Sequence, residues 1–260
     1  MPDTQPTVGL LGTWGYHGLL DDAEQVSVDT PYGPTSDNIV LGSSGGRRLA
    51  YLTRTGRHRN IPPHRINARA NIWALHSLGV RTILAPTPSG SLRPAIGVGS
   101  VVVPDQLVDR TGRTDDTFHD DDVHISFADP FCAHGRRAVV STLRRNGWVV
   151  NDGGVMVAIR GPRFSTRAES RWYAAQGWDL ISMTPYPEAA LARELGMSYT
   201  CIALVTDHDV ISDTPWPVTQ DLVREGLDAN TKRLREALLQ VAIELAGTPE
   251  VATPAHGRRS

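Results

Sequence analysis

The residues with the most evident chemistry are Thr206-Asp207-His208-Asp209, which close the apolar run Cys201-Ile202-Ala203-Leu204-Val205. Two carboxylates spaced i, i+2 leave a buried strand together. A carboxylate in that place can accept hydrogen bonds from an amino group or hold a proton for a ring nitrogen. The same pair also suits a turn at a strand end, and composition leaves both readings open.

Further polar groups follow other apolar runs. Arg54-Thr55-Gly56-Arg57-His58-Arg59 is a cationic loop suited to phosphate or carboxylate, because guanidinium pairs with oxyanions bidentately. A solvated basic loop is the plainer reading. Thr87, Gly90 and Ser91 can cradle an anion or form an ordinary turn, and Pro88 between them has no N–H to give. Phe164 can stack on a flat ring, while Ser165 or Thr166 with Glu169 can equally cap a helix. Met183, in Ser182-Met183-Thr184, suits core or the lining of a sugar pocket. His124, near Phe127 and Phe131, reads on its own as structural.

These groups need elements to hold them. Apolar runs at 8–11, 39–41, 48–52, 80–85 and 99–103 predict strands, with a turn at 42–46 and an exit loop at 86–91. Further strands are expected at 148–150, 155–159, 178–181 and 199–205. Ile66, Ala70, Trp73, Ala74 and Leu78 recur at helical spacing and predict a helix over 65–78. Helices are also expected at 136–146, 166–176, 187–195 and roughly 218–245, with a polar loop at 110–122. Alternating strands and helices favour an α/β fold, a three-layer sandwich with a central mixed β-sheet flanked by helices. Residues 1–247 read as a single domain and 248–260 as a disordered tail. Ligands in such folds sit at the C-terminal ends of strands, where loops 12–18, 54–59, 86–91 and 206–209 can converge.

The bulk numbers exclude several classes. The chain has 260 residues, 40% hydrophobic and 21% charged, with a formal charge of −2, which argues against a nucleic-acid partner. Cys132 and Cys201 are the only cysteines, so neither a disulfide framework nor a cysteine metal site is expected. No apolar run reaches the ~18 residues of a membrane span, and residues 1–6 lack a signal pattern. The expected compartment is cytoplasmic.

Several segments carry a resemblance: Asp29-Thr30-Pro31-Tyr32-Gly33, Asn67-Ala68-Arg69-Ala70-Asn71-Ile72-Trp73-Ala74-Leu75, Pro104-Asp105-Gln106-Leu107-Val108-Asp109-Arg110-Thr111, Ala128-Asp129-Pro130-Phe131-Cys132, Gly161-Pro162-Arg163-Phe164-Ser165-Thr166-Arg167-Ala168-Glu169-Ser170, and Met183-Thr184 with Pro187-Glu188. In this order they resemble the trimeric purine nucleoside phosphorylases, and within them the 5′-methylthioadenosine phosphorylase branch, from about Val8 to Leu245. The resemblance implies a homotrimer that splits a purine nucleoside: phosphate attacks the anomeric carbon, the sugar becomes oxocarbenium-like, and the purine leaves. No cofactor is implied beyond phosphate as co-substrate.

Carried over by motif, Ser165, Asp207 and Asp209 would face the purine, with the two aspartates as the catalytic groups. The family's 6-oxopurine members carry asparagine at the first acidic position, so Asp207 implies a 6-aminopurine and can donate to N7 if burial keeps it protonated. Phe164 would pack on the base and Met183 would meet the ribose through its backbone. His124 would reach the 5′ end across a subunit interface, and Val218 and Leu222 would line the 5′ pocket. Thr13, Trp14, Arg54, Thr55, Thr87, Pro88 and Thr184 would form the phosphate or acceptor site.

That last set departs from the family. Its Gly-Gly-Ser/Thr-Gly loop is Gly12-Thr13-Trp14-Gly15 here, with Trp14 at the hydroxyl position. Its Arg-His-Gly is Arg54-Thr55-Gly56, and its strand-end alanine is Pro88. Each lost charge-assisted donor weakens phosphate binding by about 1.5–3 kcal/mol. Alternatively, a displaced loop lets Thr13, Thr55, Arg57 and Arg59 rebuild the site. Phosphorolysis is the leading expectation; attack by water or another acceptor, and nucleoside binding without turnover, are the alternatives.

Overall fold

The computed structural model describes residues 5–13, 19–209 and 217–247. Trp14, the rest of the first loop and the expected tail at 248–260 lie outside the described residues. The strands are β1 (Val8–Gly12), β2 (Asp21–Val26), β3 (Ile39–Ser44), β4 (Arg47–Thr53), β5 (Thr82–Ser91), β6 (Val101–Val103), β7 (Gln106–Arg110), β8 (Val150–Asp152), β9 (Val155–Ile159), β10 (Leu180–Ser182) and β11 (Ser198–His208). The helices are α1 (Ala68–Ser77), α2 (Ala133–Arg145), α3 (Arg167–Ala175), α4 (Pro185–Glu194) and α5 (Gln220–Ala246).

All these strands join one mixed sheet whose main path is β2-β3-β4-β1-β5-β10-β9-β7, with β11 on the other edge of β5. Side chains alternate between its faces, as the period of two requires. Leu84, Ile202 and Leu204 pack with Leu143 of α2 and Leu234 and Leu238 of α5. Ile83, Ala85, Cys201 and Ala203 face the other way, with Ile72 and Leu75 of α1 and Leu191 of α4. This is the expected three-layer arrangement.

Several boundaries differ from the sequence reading. The segment 86–91 is not an exit loop but the second half of β5, prolines included. Proline is rare inside a sheet because it cannot donate to the ladder. Here it loses nothing, because β1 is in register with β5 only over Thr82–Leu84 and β10 only at Gly90–Ser91. Between them one edge of β5 faces no strand, while β11 runs along the other edge. On the open edge the Pro86 carbonyl accepts from Arg54 Nη1 at 2.8 Å and the Pro88 carbonyl from Ser182 Oγ at 3.0 Å.

The turn expected at 42–46 narrows to Gly45-Gly46, both at positive φ (55° and 73°), a backbone that tight two-residue hairpins require. The helix expected from residue 65 begins at Ala68, because the Asn67 side chain caps it by accepting from the Ala70 N–H at 3.1 Å. Thr166, not Ser165, caps α3 in a capping box with Glu169. β2 and β7, both polar, were not foreseen.

The gap beside β5 is closed from behind by an ion pair. Arg54 donates through Nε to Glu188 Oε1 at 2.8 Å and through Nη2 to Oε2 at 2.9 Å, and Tyr199 adds a bond to Oε2 at 2.7 Å. Both charged side chains are fully buried. Burial opposes the charged guanidinium, but the adjacent Glu188 carboxylate outweighs it and holds Arg54 protonated. The pair fastens the end of β4 to α4 and β11. Removing one partner strands a buried charge, so Glu188→Ala is expected to cost about 3–5 kcal/mol of unfolding free energy. Chemical denaturation checks this, and an unshifted midpoint would show that the pair does not hold the fold.

Candidate active site

A cavity of about 600 Å³ opens beside the gap in β5, a size suited to a nucleoside-sized ligand. β1, β4, β5 and β11 all run parallel, so Thr13, Thr55, Thr87–Gly90 and Thr206–Asp209 meet at their C-terminal ends. Ser182, Met183 and Thr184 join them from the end of β10, and Phe164 and Ser165 from the loop before α3.

Asp207 owes its position to a bulge. β5 and β11 are in register up to Val205↔Ser89 and resume at Asp207↔Gly90, which leaves Thr206 as the extra residue. A bulge re-aims the side chains that follow it. Gly90 has no side chain to obstruct the carboxylate: a Cβ there would lie 2.9 Å from Asp207 Oδ1. Gly226 of α5 serves Thr206 similarly, where a Cβ would lie 3.1 Å from that of Thr206. Asp207, within β11, and Asp209, just past its end, are therefore buried at the cavity wall and not in a surface turn.

Burial pushes the Asp207 carboxyl above its ordinary value of 3.8, and the charge of Asp209 adds to the rise. A hydrogen bond from Thr206 Oγ1 to Asp207 Oδ2, at 2.8 Å, opposes it only in part. The result is a carboxyl biased toward its protonated, hydrogen-bond-donating form. Elsewhere in the cavity, Thr87 Oγ1 lies 2.8 Å from Thr184 Oγ1 and 3.1 Å from Ser182 Oγ. Thr13 Oγ1, Ser89 Oγ and Ser165 Oγ are buried with no hydrogen-bond partner among the described residues. Orphaned hydroxyls lining one cavity point to a polar ligand.

The expected site residues fall into two groups. Thr13, Thr55, Thr87, Pro88, Phe164, Ser165, Met183, Thr184, Asp207 and Asp209 line the cavity. Arg54 does not: it is fully buried, where Glu188 and the edge of β5 both engage it. His124 is exposed and lies 2.9 Å from Asp122, away from this cavity. Val218 precedes α5 and Leu222 is exposed, and neither lines the cavity. The lining residues are Gln220, Val223, Arg224 and Leu227, one helical face at i, i+3, i+4 and i+7. The resemblance placed the start of this helix at the cavity, but the sequence carries no signal for the helix's phase. Sequence reasoning also missed Ser89 as a cavity hydroxyl. Among the described residues no cluster could hold a metal ion, and no helix is long and apolar enough to cross a membrane.

The family model of the phosphorylase superfamily matches residues 7–243. The chain belongs to that superfamily. A purine nucleoside phosphorylase of Streptomyces coelicolor is 46% identical over 257 residues, 95% of this chain and 92% of its own. An S-methyl-5′-thioadenosine phosphorylase of Mycolicibacterium smegmatis is 52% identical over 204 residues, 78% of this chain and 77% of its own. The crystal structure of a methylthioadenosine phosphorylase from an antarctic soil metagenomic library superposes with a TM-score of 0.90 at 35% identity, covering 97% and 91% of the two chains. That of Schistosoma mansoni in complex with adenine superposes at 0.88 and 34%, covering 94% and 93%. Within the superfamily the chain falls in the purine nucleoside phosphorylase family, on its methylthioadenosine phosphorylase branch.

The raised Asp207 carboxyl has a consequence for stability. The native chain holds that proton more tightly than the unfolded one, so the contribution is full below the ordinary carboxylate value of 3.8 and is lost as pH rises through the native value. Asp207→Asn removes that loss. Melting temperatures of the two chains from about pH 4 to about pH 8 are expected to diverge in favour of the variant as pH rises. A constant difference would show that Asp207 ionises as freely in the native chain as in the unfolded one.

Proposed function

We propose that the protein cleaves the N-glycosidic bond of a 6-aminopurine nucleoside, adenosine-like or 5′-methylthioadenosine, by phosphorolysis. The observation that carries the base assignment is Asp207, buried at the cavity wall beside Gly90 with its carboxyl pushed toward the protonated form. As a phosphate oxygen bonds to the anomeric carbon, the C–N bond breaks and its electron pair moves into the purine. Protonated Asp207 then gives its proton to N7, and the neutral base leaves. Asp209 keeps that proton on Asp207 until the base becomes the stronger acceptor. Phe164 offers a ring to the base and Ser165 an orphaned hydroxyl. Met183 is positioned for the ribose, and Val223 and Leu227 supply apolar surface for a 5′ substituent.

Phosphate is the proposed co-substrate, held by the hydroxyls of Thr13, Thr55, Thr87 and Thr184. The exposed His124 is available to a neighbouring copy, as a homotrimer requires. A cytoplasmic location agrees with a small-molecule substrate. One observation favours water as an alternative nucleophile: Arg54 already gives three of its five N–H groups to Glu188 and Pro86.

Free-base release from adenosine, methylthioadenosine and inosine, with and without phosphate, decides between them. Phosphate-dependent adenine release is expected, and equal release without phosphate would replace phosphorolysis by hydrolysis. Asp207→Asn is expected to lower kcat/KM for adenosine by about 100-fold and for inosine by much less, since a general acid contributes 10²–10⁴-fold. Equal losses on both substrates would remove the base assignment.

A further inference from the structure

Arg54, Arg57 and Arg59 leave β4 on one loop, and the structure gives each a different task. Arg54 turns inward to Glu188 and has no exposed surface. Arg57 turns outward, where its Nε meets Asp37 Oδ1 at 3.0 Å, and it does not line the cavity. Arg59 lines it. Its backbone sits at φ 51°, a left-handed conformation rare for a residue with a side chain, and its N–H donates to the Gly56 carbonyl at 2.9 Å. This tight turn presents Arg59 toward α5.

The partner of Arg59 there is Asp228. Both Nη1 and Nη2 reach the same oxygen, Oδ1, at 3.2 Å, and the two side chains are 34% and 61% exposed. Arg54 by contrast meets both oxygens of a buried carboxylate at 2.8 and 2.9 Å. Long bonds to one oxygen of a solvated carboxylate are weak and readily exchanged. The same cavity is lined by Thr55, from the same loop, and by Thr13, which is 8% exposed and whose Oγ1 has no partner among the described residues. Thr55 Oγ1 donates to the Thr13 carbonyl at 3.3 Å and ties the two loops together.

We propose that Arg59 is the cation that receives inorganic phosphate, and that Asp228 occupies its guanidinium as an internal carboxylate until phosphate displaces it. The inference rests on the phosphorolysis reading. Guanidinium accepts carboxylate and phosphate through the same fork, so one anion can replace the other without rebuilding the loop. Phosphate then meets a cation from Arg59 and hydroxyls from Thr13 and Thr55. Asp228 is a positioning residue that acts only through Arg59.

Steady-state kinetics with methylthioadenosine and inorganic phosphate test this. Arg59→Gln is expected to raise the phosphate KM about tenfold or more, with the nucleoside KM held within about twofold. Asp228→Asn is expected to move the phosphate KM the other way, down about threefold, and to have no effect in the Arg59→Gln background. A general structural defect would raise KM in both single variants. Phosphate-dependent turnover with an unchanged phosphate KM in Arg59→Gln overturns the inference alone. So does a change confined to the nucleoside KM, which would assign Arg59 to the sugar end. Adenine release by the unaltered chain that ignores phosphate overturns phosphorolysis and the inference together.

Discussion

Much of the site depends on one buried ion pair. Arg54 and Glu188 stand behind the stretch of β5 that has lost its neighbour on one side. Without a strand there, the Pro86 carbonyl would face an unfilled edge; Arg54 supplies the missing donor and Glu188 supplies the counter-charge. The prolines are a fitting choice on such an edge, because an ordinary residue would bring an N–H that also needed a partner. Opening the sheet makes room for the cavity, and the pair braces the open edge from behind. Burial this complete is stable only because the carboxylate takes both forks and Tyr199 satisfies it further.

The same pair limits what Arg54 can do. A guanidinium neutralised at 2.8 Å presents a dipole, not a free charge, to anything on the far side of β5. Arg54 thus carries a structural duty, fastening the end of β4 to α4. The same loop carries Arg57 and Arg59, and each of the three arginines turns to a different carboxylate.

The parts legible in the sequence were those set by local physics. Apolar runs placed β1, β9 and most of β11, and helical spacing placed α1 to within a few residues. The aspartates were legible because an uninterrupted apolar run leads straight to them. What stayed hidden depends on distant partners. Pro86 and Pro88 read as a loop until β11 is seen to support them from the other edge. The bulge at Thr206 comes from registering β11 against β5, not from any turn-forming residue. The inward turn of Arg54 needs a carboxylate 134 positions away. The phase of α5 is set by packing against Thr206 through Gly226, so the position carried over from the resemblance, Leu222, falls one residue short of Val223, which faces the cavity.

The two ends of the cavity handle charge in complementary ways. At the base end, burial and the neighbouring Asp209 push the Asp207 carboxyl toward its protonated form. At the loop end, Arg59 is held by a carboxylate it can release. A reaction that brings an anion to one side of a sugar and drives negative charge out on the other needs both. A permanently unpaired cation beside the sugar would raise the cost of forming a cationic ring, whereas one that meets its charge only when the anion arrives would not. Carboxylates thus stand at both ends: Asp209 beside the Asp207 carboxyl, and Asp228 on the Arg59 guanidinium. The backbone positions the pairs, but the balance between each pair and its substrate group determines when charge moves.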